Sequence, residues 1–195
     1  GSIVPVPGRD IMVQAWYQGG ISVFDFTDIN NPVEIAYFDR GPYNAADILL
    51  GGFWSAYWYN GSIYGSEMGR GIDVLQLRPT EMLTQNEIDA ARTVRLETFN
   101  PQTQPRFTWP ASFVVARAYL DQLRRSGTTP TAELGGDYDE RPKLALLPIG
   151  NAVRGVDSRN HPDVAGDARE MLSNLLAGRG QDAVSRAIDD LLDSL

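Results

Sequence analysis

The chain has 195 residues and a formal charge of -8, enough length to bury a real core but an acidity that argues against nucleic acid, whose phosphates need a basic surface. It contains no cysteine, which excludes disulfides, thiolate metal sites and a cysteine nucleophile, and no apolar run approaches the length of a membrane span. Lys143 is the single lysine among 17 basic residues, a bias that reflects a GC-rich genome more than a function.

In chain order, Ile3 to Pro7 carries two prolines and reads as a lead-in, not a central strand. Strands are predicted at residues 10–16 and 21–26. Thr27 to Pro32 is a turn cluster in which Asp28 or Asn30 can bond its own backbone. Val33 to Phe38 is a third strand, and Gly41 to Gly52 connects to the next unit, with room for a short turn at Ala45–Leu50. Phe53 to Tyr59 is aromatic-rich, a composition that suits a pleated, half-buried surface. Asn60-Gly61 follows, a dipeptide that tolerates the positive φ angles of a type I′ hairpin turn, and Ser62 to Glu67 runs back. Gly69-Arg70-Gly71 makes a second reversal. Ile72 to Leu77 then alternates with the period of a strand, Ile72, Val74 and Gln76 on one face and Asp73, Leu75 and Leu77 on the other.

Two of these stretches match. Gly20 to Phe26 (GISVFDF) repeats as Gly71 to Leu77 (GIDVLQL), each the second arm of a strand, glycine turn, strand unit, which points to a repeated sheet such as a propeller blade. The segments MVQAWYQGGISVFDFTDINNPVEIAYFDRGP and GGFWSAYWYNGSIYGSEMGRGIDVLQL resemble the last blades of bacterial LVIVD-repeat proteins, and Thr80 to Leu195 is similar to the helical tail of actinobacterial members. The resemblance implies a secreted or cell-surface β-propeller and carries no settled biochemical activity. This stretch holds no signal peptide, and Gly1-Ser2 resembles a cloning remnant, so the natural N-terminus is expected to lie beyond it.

After Leu77 the periodicity becomes helical. Thr84-Gln85-Asn86-Glu87 is a capping-box pattern, and the helix it starts is predicted to run from about Gln85 to Leu96. Pro110 suits the first turn of a second helix with Phe113, Ala116, Tyr119, Leu120 and Leu123 as its apolar stripe and Gly127 as its stop. Thr128 to Pro162 reads as a linker whose middle, Lys143 to Ile149, is apolar enough for a short strand or for lying along a groove. Leu172, Leu175 and Leu176, then Val184, Ile188, Leu191, Leu192 and Leu195, give two stripes of an αα-hairpin. The predicted organisation is a repeat region of about two blades at 1–78, a helical extension at 79–127, a linker at 128–162 and a helical hairpin at 163–195.

Chemistry has few footholds. His161 is the only histidine, so a Ser-His-Asp triad would need it, with Asp163 nearby; its Asn160-His161-Pro162 setting reads as a solvated loop. A histidine-based zinc site lacks further nitrogen ligands. Asp25, Asp28, Asp39, Asp47, Glu67 and Asp73 could supply a carboxylate pair, but their spacing selects none, and no Asp-x-Asp-x-Asp calcium loop is present. Glu67 and Arg70 flank the Met68-Gly69 turn, either as an ion pair that stabilises it or as ligand contacts, and Trp16 stands at the matching position of the earlier repeat. Trp54, Tyr57, Trp58 and Tyr59 are core rings or a face that stacks on sugar or peptide; alternation puts Trp54 and Trp58 on one side, Tyr57 and Tyr59 on the other. Gly69-x-Gly71 and Gly19-Gly20 precede strands, the wrong context for cradling phosphate.

These readings combine into a mixed chain: antiparallel, propeller-like blades forming a partial propeller, followed by a helical tail. The expected function is extracellular binding or scaffolding without catalysis, with Trp54, Tyr57, Trp58, Glu67 and Arg70 as candidate contacts, no metal and no cofactor. The alternative is a metal- or carboxylate-assisted hydrolase whose site needs the complete propeller. Two blades leave apolar faces and strand edges uncovered, so the remaining blades or a second protein chain are the expected partners, then further copies of this one, and last the chain's own helical tail folding its Phe113–Leu123 stripe back onto the sheet.

Overall fold

The computed structural model describes residues 1–47, 49–103, 105–110 and 112–126. The linker, the C-terminal hairpin, His161, Asp163 and the predicted stop at Gly127 lie outside the described residues. Among those described, the chain forms two antiparallel sheets and two α-helices, and it divides into compact units at Gly1–Thr108 and Trp109–Leu195.

The first sheet is a four-stranded meander of β1 (Ser2–Val4), β2 (Ile11–Ala15), β3 (Ile21–Asp25) and β4 (Val33–Phe38). β1 is an edge strand, which the prolines after it tolerate. Alternation buries Val4, Ile11, Val13, Ala15, Ile21 and Val23 on one face. The second sheet is a three-stranded meander of β5 (Phe53–Tyr59), β6 (Ser62–Glu67) and β7 (Gly71–Leu75). Its buried side carries Phe53, Ala56, Trp58, Ile63 and Glu67. The predicted hairpin is present: Tyr59 pairs with Ser62, and Asn60 and Gly61 have φ of 47° and 98°, both positive as a type I′ turn requires.

The two buried faces pack on each other. Gly65 on β6 leaves room for Ile21, whose Cδ1 lies 2.7 Å from where a Cβ would stand. Phe38 meets Phe53 edge-to-face at 5.9 Å, and the Ser2 hydroxyl accepts the Trp58 amide at 2.8 Å. Tyr17 ties the sheets through the backbone: its amide donates to Phe53 O (3.1 Å) and its carbonyl accepts from Phe53 N (2.9 Å). Tyr17 holds this geometry at a φ of 53°, unusual for a bulky residue, and Gly52 beside it has no alternative, since a Cβ there would sit 2.0 Å from Tyr17 O.

The repeat falls on equivalent strands. β3 and β7 each occupy the third place in their meander, so Gly20 to Phe26 and Gly71 to Leu77 superpose in topology as in sequence. The second sheet stops one strand short: among the described strands β7 pairs with β6 alone.

Helix α1 (Gln85–Arg92) starts with the predicted capping box, Thr84 Oγ1 accepting from Glu87 N (3.2 Å) and Glu87 Oε2 from Thr84 N (2.8 Å). It ends four residues earlier than its periodicity suggests. The Thr93 hydroxyl donates to Ala90 O, and the following backbone is drawn to the hairpin turn, Leu96 N donating to Asn60 Oδ1 (2.8 Å) and Asn60 Nδ2 to Leu96 O (3.0 Å). With Leu83, Ile88, Ala90, Ala91 and Val94 buried, α1 belongs to the same compact unit as the sheets, and the division of the chain falls after Thr108. In the second unit, α2 (Phe113–Ser126) buries Val115, Ala116, Ala118, Tyr119 and Leu120, which includes much of the predicted stripe.

Candidate functional site

The outer face of the second sheet is aromatic and uncharged. Tyr57 on β5 and Tyr64 on β6 are directly opposite each other, and Tyr59 lies 6.3 Å from Tyr64 between ring centroids. Phe99, from the loop after α1, stacks on Tyr59 at 6.4 Å and 24°. The Tyr59 hydroxyl is engaged by the carbonyls of Leu96 (2.9 Å) and Glu97 (3.0 Å), which fixes its ring and leaves the ring face as the contact surface. With Asn100, Pro101 and Gln102 these rings line a groove of about 690 Å³. Stacking surface beside neutral amide groups suits a sugar or an extended peptide better than an ion. Beyond the groove the same face carries Ile72 and Val74, 72 % and 59 % exposed.

The candidate contacts from the sequence are not brought together. Tyr57 lines the groove. Trp58 does not share its side: it is 1 % exposed, against Phe107, and is a core ring. Trp54 does not share a face with Trp58 either. The register of β5 on β6 slips between Phe53 and Ser55, so Trp54 is an inserted bulge residue that resets the alternation. Its ring is 65 % exposed and meets the Tyr17 ring edge-to-face at 5.8 Å, with exposed Trp16 in the adjoining turn.

Glu67 and Arg70 work in the turn rather than as a pair. The Glu67 carboxylate is buried and accepts from the Tyr43 hydroxyl, from Gly52 N and Gly69 N (3.1 Å each) and from Arg70 N. Burial pushes its carboxyl up; the Tyr43 hydroxyl and the three amides outweigh this and hold it below the ordinary value of 4.5. The Arg70 guanidinium lies over the Tyr43 ring at 4.5 Å, so Tyr43 couples the two residues that the sequence suggested as a direct pair.

The other carboxylates are dispersed among structural roles. Asp25 accepts from Arg9 (2.6 Å) and from Thr27, and Arg9 also bonds Glu87 (2.9 Å) and the Met82 carbonyl (2.8 Å). Burial raises the Asp25 carboxyl, but the Thr27 and Arg9 bonds bring it below its usual range. Asp73 pairs with Arg40, Asp47 with the Asn44 amide (2.6 Å), Asp28 caps its turn through Asn30 N (3.1 Å), and Asp39 accepts from Gly41 N (2.8 Å). Among the described residues no three His, Asp or Glu side chains gather as a metal site would require. The described helices include none long and apolar enough to cross a membrane.

Sequence reasoning missed Phe99 and Tyr43. Both come from connecting stretches whose composition marks only loops, and their partners lie 40 and 24 residues away. Comparison of the chain with protein-family models, curated proteins and solved structures finds no match.

Proposed function

We propose that this chain is a non-catalytic binding or scaffolding module of propeller-like blades, a C-terminal part of an LVIVD-repeat surface protein working outside the cell. The observation that carries the reading is the uncharged aromatic groove of Tyr57, Tyr59, Tyr64 and Phe99 on an exposed sheet face. The repeat in equivalent strands and the shared meander order support the blade-like character. The dispersal of Asp25, Asp47, Glu67 and Asp73 among separate partners favours binding over hydrolysis, which would need two of them converging on one bond. The partners that fit are further blades or a second chain.

The test is a glycan and peptide array read with the wild type and with Tyr57→Ala and Tyr64→Ala, alongside ester, peptide and glycoside substrates with and without added divalent metal. The expected result is an array ligand lost about tenfold or more in both variants and no turnover. Turnover that tracks the protein, or array binding indifferent to both tyrosines, overturns the reading.

A further inference from the structure

The internal repeat says what the outer face of the second sheet is built to meet. Aligning Gly20 with Gly71 places Ile21 with Ile72 and Val23 with Val74. In the first sheet Ile21 and Val23 are 2 % and 3 % exposed because another sheet lies on them. In the second sheet their counterparts stand 72 % and 59 % exposed. The pairings extend the match. Val13 faces Val23 as Tyr64 faces Val74, and Ser2 faces Val13 as Tyr57 faces Tyr64. The outer face of the second sheet is therefore the counterpart of the face through which the first sheet packs.

The chain also carries a counterpart of the surface that receives such a face. The side of the second sheet that meets the first carries buried Trp58 and Ile63, the Trp58 amide donating to the Ser2 hydroxyl, and half-buried Leu75, which lines a cavity with Ile21, Val23 and Ile63. By the same register Trp58, Ile63 and Leu75 correspond to Ile3, Met12 and Phe24 on the outer side of the first sheet. That side also presents Tyr37, 78 % exposed, and Ile3, 37 % exposed. Exposed Ile72 and Val74 on the outer face of the second sheet, and Ile3 and Tyr37 on the outer side of the first, where Ile3 and Met12 also line a cavity with Phe99, Pro101, Pro105 and Phe107, are the two unlike halves of one interface.

We propose that the outer face of the second sheet docks a second copy of this chain, seated on the outer side of that copy's first sheet. This rests on reading that face as a contact surface, and it names the partner. The interface is heterologous, so it has a donor half and an acceptor half in every copy. The contact is the one the chain already makes between its own two sheets, repeated between molecules.

The test is sedimentation velocity over a wide concentration range with the wild type and two double variants, I72D/V74D on one half and I3D/Y37D on the other. Circular dichroism confirms that each folds, as substitutions at exposed positions permit. The wild type is expected to self-associate, and each variant alone to do so about tenfold or more weakly, because a charge must be desolvated in the contact. Mixing the two variants restores one intact interface, so a one-to-one dimer forms and grows no further. A wild type that stays monomeric, association that survives either double variant, or a mixture that fails to pair overturns the proposal. A monomer that still holds an array ligand through Tyr57 and Tyr64 removes the second copy and leaves the binding module standing.

Discussion

Glu67 shows how a residue with the credentials of a functional group can be absorbed by the fold. A carboxylate that accepts from a hydroxyl and three amides has its lone pairs occupied and no proton to give at neutral pH. Its depressed titration in the folded chain has a definite sign. The stability it contributes is complete above its unfolded value near 4.5 and drains away as pH falls through the lower folded value. Glu67→Gln keeps the shape and removes the charge. The variant is expected to melt lower than the wild type at neutral pH, and the gap is expected to narrow as the solution is acidified. Asp25, also depressed, leaves a residual acid slope in both proteins. Melting curves across the acid range decide it; parallel curves for the two proteins would remove Glu67 from the account.

At the scale of elements, the sequence was most legible where local chemistry and pattern agreed. Asn60-Gly61 between two aromatic strands placed the hairpin at its observed bounds, and Thr84 with Glu87 placed the start of α1. Gly61→Val is expected to cost about 1–2 kcal/mol, since a β-branched residue resists the φ of 98°. Urea denaturation reads the loss, and an unchanged midpoint would contradict the turn assignment. The pattern failed where tertiary contacts intervened. A period-of-two reading assumes one residue per step, so it could not see the bulge at Trp54, which arises where Gly52 and Tyr17 cross. The end of α1 departs from its periodicity for a similar reason, because Asn60 bonds the backbone of Leu96. Of the groove, Tyr57 was legible as a ring on a strand; Phe99 was not, because only the folded chain brings its loop to Tyr59.

For the molecule as a whole, Arg9 is the join between the first sheet and α1. Its guanidinium side chain is 8 % exposed, and its partners are Asp25 on β3 and Glu87 on α1, itself fully buried. Arg9→Met is expected to destabilise the first unit by about 2–4 kcal/mol, because it removes the cation that Asp25 and buried Glu87 share. Thermal melts of the variant test this, and a change within experimental error would show that the join carries no net stability. The same bond has a consequence in time. Arg9 leaves the ribosome before Glu87, which follows 78 residues later. Through that interval the nascent first sheet must keep a desolvated cation only half matched or leave its end unsealed. Long-range closure of this kind is the slow step in β-rich chains. Nascent chains halted before Glu87 clears the exit should thus be cut readily by protease near Arg9, and those halted beyond it should resist. Synthesis itself then sets the moment at which the sheet becomes final, and a pause in translation just ahead of α1 would prolong the time its apolar face is open to the wrong neighbour.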